Sequence, residues 1–204
     1  MAMHISQLMS SEAVAIRQLW PVEQALFRQH LDELDPKSRA LRFGGMVHDS
    51  FLDVYARSAF TGGHMVYGAF VDARLVGVGE IKLIASKLPL RAETAFSVVP
   101  EWQDKGVGDA LIGRIIAALQ NRSVTSVSLW CLASNKRMRH LAEKHGSHLE
   151  FSDADETRSE LDLPWPMPSS IMEEVCGEAA CYAQNLYRGF QFAARTSPAT
   201  SLPS

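Results

Sequence analysis

The sequence is poor in cysteine. Cys131, Cys176 and Cys181 are the only three in 204 residues, and none is in a CxxC pair. An odd count so spaced speaks against both a disulfide framework and a structural zinc site. Cys131 reads as a small hydrophobe in a strand. Long apolar runs are also lacking: no stretch approaches the ~20 residues needed to span a bilayer, and no basic segment followed by an apolar run opens the chain. A cytoplasmic protein without a membrane partner is expected. There is no excess of positive charge, the formal net charge being -3, so nothing points to general nucleic-acid binding. His140, His145 and His148 do not share one helical face, so no metal is expected. Internal repeats are absent. What is present is the balance of a soluble globular protein, 47% apolar and 21% charged, long enough for one domain with extensions.

The most informative stretch runs from Val98 to Asp109. Ala95-Phe96-Ser97-Val98-Val99 is β-branched and aromatic and stops at Pro100, as a buried strand would. A helix then begins at Gly106 or Val107, with Leu111, Ile112, Ile115, Ile116 and Leu119 recurring along it and a narrow polar stripe of Asp109, Gly113, Arg114 and Gln120. Such a helix is largely buried, which fixes its N-terminus in space. That terminus has unpaired N–H groups and a partial positive charge. Gly106 and Gly108 let an anion reach the main chain, while Gln103 and Lys105 can add donors. The candidate ligand is a pyrophosphate; a plain tight turn is the other reading of the two glycines. No Gly-Lys-Ser/Thr follows, which excludes a P-loop, and the third glycine of a dinucleotide fingerprint is absent.

The remaining pattern alternates strand and helix signals. Val14 to Trp20 reads as a first strand. Pro21 opens a helix through Leu31, and Asp35-Pro36 caps a second that carries Arg39, Leu41, Arg42 and Phe43 toward Gly44-Gly45. Asp49 to Phe60 is a third. Met65 to Val71 and Leu75 to Leu83 flank Asp72-Ala73-Arg74 as a hairpin, and Arg91 to Val99 pairs antiparallel with its second strand. Val124 to Leu132 follows a helix and must return parallel to Arg91 to Val99, giving a mixed sheet. Asn135 to His145 is a further helix ending near Gly146, and His148 to Asp153 with Thr157 to Leu163 is a last hairpin. The Pro164-Trp165-Pro166-Met167-Pro168 run closes the domain, taken as residues 13–163. Beyond it, Ser169-Ser170 caps an expected helix from Ile171 to Ala194, docked on its own domain or on a second subunit of a homodimer. Together with the proline run it makes up residues 164–196, and 197–204 reads as a disordered tail.

Gln103-x-x-Gly106-x-Gly108 after a strand ending Val98-Val99-Pro100 resembles the acyl-CoA pyrophosphate loop of the GNAT superfamily of N-acetyltransferases. Ala92 to Gly108, and the Leu-Asp-Pro-Lys-Ser-Arg-Ala-Leu-Arg-Phe segment ending at Phe43, are similar to the GNAT domain of bacterial protein-lysine acetyltransferases. Leu129 to Met138 resembles the next strand and the asparagine facing the CoA arm. The resemblance implies an α/β (α+β) GNAT fold, a mostly antiparallel mixed sheet with two splayed parallel strands. It also implies acetyl-CoA as cosubstrate and an amine acceptor, a protein lysine or a small molecule. The cofactor would meet Val98 and Val99 through their main chains, Gln103, Asp104, Lys105, Gly106, Val107, Gly108 and Asp109 at the pyrophosphate, and Asn135 and Met138 on the far side. The acceptor site would be bordered by the opening helices.

Acyl transfer from a thioester needs placement, an oxyanion donor and a deprotonated amine. A lysine-type amine, with a pKa near 10.4, must lose a proton. Glu93 matches the family's Glu in the Ala-Glu-x-Ala strand and is the first candidate base; Glu80 is the second. A backbone N–H near Val98 is the candidate oxyanion donor. The sequence departs from many GNAT members at Ala142, where they carry a tyrosine that protonates the leaving thiolate, and at Ser147, where an aromatic is usual. A non-catalytic acyl-CoA-binding regulatory module is therefore the alternative reading.

Overall fold

The structure, a computed structural model, describes residues 14–84, 89–153, 156–164 and 171–172, with the main chain alone at 149–153 and 156. Residues 171–172 are helical; the rest of the expected C-terminal helix and the tail lie outside the described residues.

Seven strands among the described residues form one sheet: β1 (Ala15–Leu19), β2 (His64–Val71), β3 (Arg74–Ile84), β4 (Leu90–Val98), β5 (Val124–Leu132), β6 (His148–Asp153) and β7 (Glu156–Asp162), in the order β1-β2-β3-β4-β5-β7-β6. Every neighbouring pair is antiparallel except β4 and β5. The helices are α1 (Gln24–Glu33), α2 (Pro36–Phe43), α3 (Asp49–Ser58), α4 (Val107–Gln120) and α5 (Lys136–Lys144). Asp35 caps α2 by accepting from the Ser38 N–H at 2.7 Å, and Gly44 ends it in the left-handed region. The hairpin between β2 and β3 turns on Asp72 and Ala73, both at positive φ.

Alternation along the strands divides the core between the two faces of the sheet. On one face, Val107, Leu111, Ile115, Ala118 and Leu119 of α4 pack with Tyr67, Ala69, Ile81, Ala92 and Val127. On the other, Phe27 and Leu31 of α1 and Leu52 and Ala56 of α3 cover Val66, Phe70, Leu75 and Val78. The closeness of α4 depends on Gly77 and Gly79 of β3. A Cβ at Gly77 would stand 2.9 Å from Val107 Cγ1, and one at Gly79 would run into Ile115 Cδ1. Cys131 is buried in β5, and burial pushes its thiol up, as fits a core residue.

The site follows from one break in the sheet. β4 and β5 pair from Leu90↔Val124 only as far as Thr94↔Leu129. β4 runs on to Val98 along β3, while β5 runs on to Leu132 along β7. Past Thr94 the two parallel strands splay apart.

Candidate active site

Main-chain groups point alternately to the two sides of a strand. The Val99 N–H donates to the Val76 carbonyl at 3.0 Å, on the β3 side. Phe96 and Val98 therefore turn theirs toward the splay. The Val98 carbonyl accepts from Gln103 Nε2 at 3.0 Å. Beyond Val99 a 3₁₀ turn, Pro100–Trp102, leads to Asp104 at φ 58° and Gly106 at φ 82°. Gly106 is the N-cap of α4 and offers no side-chain cap, so the first-turn N–H groups of a 14-residue helix remain open. The splay and this helix start are joined by a cleft of about 390 Å³. Its walls are Asp35, Lys37, Ser38, Leu41 and Arg42 near α2; Phe96, Ser97 and Val98 of β4; the loop and start of α4; and Asn135, Arg137, Met138, His140 and Leu141 at α5.

Of the residues expected at the cofactor, Val98, Gln103, Asp104, Gly106, Gly108, Asp109, Asn135 and Met138 line this cleft. Val99 does not, because its side chain is buried and its N–H is spent on β3. Val107 is a core residue, and the Lys105 ammonium sits 4.7 Å from the centre of the Trp102 ring. Gln103 is a brace more than a free donor. Its amide nitrogen bonds Ser38 Oγ at 2.9 Å as well as Val98, and its oxygen accepts from Arg137 at 2.7 Å. Thus α2, β4 and α5 are tied together at the mouth. Asp109 turns its carboxylate to Lys144 and His145, each at 2.9 Å, and the Lys144 hydrogen bond holds its carboxyl below the usual range. Asn135 accepts from the Met138 N–H at 3.2 Å, capping α5.

The two candidate bases share the face of the sheet that α1 to α3 partly cover, since Glu80 pairs with Ala95 and Lys82 with Glu93. Glu80 is buried. Its oxygens are taken by the Arg42 guanidinium at 2.5 Å and the Tyr55 hydroxyl at 2.7 Å. Burial opposes the charge on Arg42, but the facing Glu80 raises its pKa above the ordinary value; burial and Glu80 together push the Tyr55 hydroxyl up. Glu93 has a 38% exposed side chain whose recorded ion pair is a long one, 3.8 Å to Lys82. Neither carboxylate is among the cleft walls. Sequence reasoning missed Ser38, Arg42, Ser97, Arg137 and His140 on those walls. Ser38 and Arg42 carried a signal in the Leu-Asp-Pro-Lys-Ser-Arg-Ala-Leu-Arg-Phe segment, Ser97 in Ala92 to Gly108 and Arg137 in Leu129 to Met138, whereas nothing placed His140 at the cleft.

Residues 27–147, more than half the chain, match the acetyltransferase (GNAT) family. The chain belongs to that family, and its mixed sheet with flanking helices is the GNAT fold. Among solved structures it is similar to the GNAT domain of PAT from S. lividans (19% identity over 74% of this chain and 90% of that one, TM-score 0.64). It is also similar to the PaiA N-acetyltransferase of Thermoplasma acidophilum in complex with coenzyme A (19%, 74% and 99%, 0.57). A third is YncA of Salmonella typhimurium with acetyl-CoA (15%, 76% and 96%, 0.58). At these identities the likeness is one of fold. Among the described residues no group of three or more His, Cys, Asp or Glu could hold a metal, and no helix is long and apolar enough to cross a membrane.

Proposed function

We propose that this protein transfers the acetyl group of acetyl-CoA to a primary amine, a protein lysine or a small molecule, by direct attack. One observation carries the reading: a single cleft joins an uncapped helix start to a strand edge whose main chain has parted from β5. The α4 N–H groups at Gly106 and Gly108 suit a pyrophosphate, with Lys37, Arg137 and His140 adding positive or hydrogen-bonding groups. The Phe96 and Val98 main chain suits an amide-bearing arm that bonds as a short strand would, and the Val98 N–H is the candidate oxyanion donor.

Glu93 is the base in this account, acting through water, because it is half-exposed and loosely paired, whereas both oxygens of Glu80 are engaged. The test is thiol release from acetyl-CoA with a panel of polyamines, aminosugars and lysine peptides. Wild type should release thiol only with an accepted amine. Glu93→Gln should lower kcat by roughly 10²- to 10⁴-fold with acetyl-CoA affinity intact. Full activity in Glu93→Gln beside an inactive, folded Glu80→Gln would make Glu80 the base. The non-catalytic reading draws on one observation, that Ala142 brings no hydroxyl to the leaving group; amine-independent binding without thiol release would favour it.

A further inference from the structure

One side-chain hydroxyl of β4 borders the cleft, and it has a buried partner. Ser97 Oγ lies 2.9 Å from His30 Nε2, and the two residues are 8% and 1% exposed. They meet because α1 packs on the face of β4 to which residues 93, 95 and 97 point. The Leu75 main chain lies near the imidazole, but Nδ1 makes no hydrogen bond of acceptable geometry. The Nε2–Oγ hydrogen bond can run either way: a proton on Nε2 is donated to Ser97 Oγ, whereas a proton on Nδ1, facing the Leu75 carbonyl, leaves Nε2 to accept from the serine. With the proton on Nε2, the serine keeps its own proton and a second lone pair free for a group in the cleft that it lines. Burial, helped by the Arg42 charge, pushes His30 down to about 4. The ring is neutral near pH 7, so the hydrogen bond to Ser97 needs no charge on the imidazole.

The location suits a role at the reacting atoms. With the pyrophosphate at the α4 start, the thioester end of the arm lies toward the apex of the splay at Thr94. Ser97 stands between the two, flanked by the cleft-facing main chain of Phe96 and Val98. Ala142 supplies no acid there, and the candidate bases Glu80 and Glu93 are not among the walls.

We propose that Ser97 is a catalytic hydroxyl, held by His30, that carries a proton from the attacking nitrogen to the leaving sulfur. This rests on the acetyl-transfer reading above. The neutral amine forms a C–N bond to the thioester carbonyl carbon, leaving positive charge on nitrogen and negative charge on oxygen. Ser97 Oγ takes a proton from that nitrogen while its own proton passes to sulfur. The C–S bond breaks with its electron pair on sulfur, and the carbonyl re-forms. The products are an amide and a thiol, and Ser97 and His30 end as they began. His30 is a positioning residue, since it acts through Ser97.

Ser97→Thr and Ser97→Val have similar shape and differ in the hydroxyl, so they are compared at saturating acetyl-CoA and amine, with melting temperature as a folding control. Ser97→Thr should stay within about tenfold of wild type, while Ser97→Val loses roughly 10²-fold in kcat with acetyl-CoA affinity unchanged. Its solvent deuterium isotope effect should differ from that of wild type. Ser97→Ala gives the same reading if the valine variant fails to fold. His30→Gln, which keeps a donor, should retain more kcat than His30→Leu. A folded Ser97→Val or Ser97→Ala protein as active as wild type overturns the inference and leaves acetyl transfer standing. Wild type that releases no thiol with any amine overturns both.

Discussion

His30 shows how one residue ties stability to the site. Its ring is held down to about 4 by burial first and by the Arg42 charge, against an ordinary value near 6.5. Between those values the unfolded chain binds a proton that the folded one refuses. Stability therefore falls as pH drops through this window, by roughly 1.5 kcal/mol between pH 6.5 and pH 5. Carboxyls held low in the fold, such as Asp109 with Lys144, lose their contribution only further down. Urea unfolding of wild type and His30→Gln across pH 5 to 7 checks this: the slope should be present in the first and much reduced in the second. Equal slopes would show that His30 is not the group responsible. His30 itself could not be picked out from sequence, because its partner Ser97 lies 67 positions away and nothing local marks it.

At the scale of elements, the strands and α4 were legible because each carries its own pattern. Val124 to Leu132 is apolar and β-branched, α4 is apolar nearly all round, and the connecting helix forces β4 and β5 to run parallel. The splay was implied only by resemblance, since no residue in either strand announces that pairing stops at Thr94↔Leu129. The role of Gln103 was half legible: its place in the loop could be read, but its three partners come from α2, β4 and α5. The β3 glycines were legible only as residues weak in a strand, whereas their use is to admit α4. Gly79→Ala should therefore cost about 1–3 kcal/mol by overpacking against Ile115 and Phe96. Ile115→Val removes the colliding Cδ1, so the double variant should regain part of that loss in thermal denaturation. Strictly additive losses would show that the contact does not set the helix-to-sheet distance.

Across the whole molecule, the sheet places its two functional halves on opposite sides of one gap. On one side is the α4 start, braced by Gln103 and Arg137, where we propose that a phosphate-bearing ligand binds. On the other, the buried Glu80, His30 and Ser97 with the half-buried Arg42 and Tyr55 make a polar floor beneath α1 to α3. The acceptor's identity does not emerge from sequence because the segments expected to select it, Pro21 to Phe60 and Asp153 to Thr157, are far apart in the chain and neither carries a substrate signature of its own. The central claim is that the cleft at the start of α4 holds acetyl-CoA, and Gly108 is its most exposed point of test. A Cβ there would lie 3.1 Å from Leu141 Cδ1, at the cleft wall, and an aspartate would add like charge beside the pyrophosphate. The same charge suits a helix N-terminus, so the fold should survive. Calorimetric titration of acetyl-CoA into wild type and Gly108→Asp should show saturable binding in the first and a loss of at least about tenfold in affinity in the second, roughly 1.4 kcal/mol. A folded Gly108→Asp protein that binds acetyl-CoA as wild type does would contradict the account.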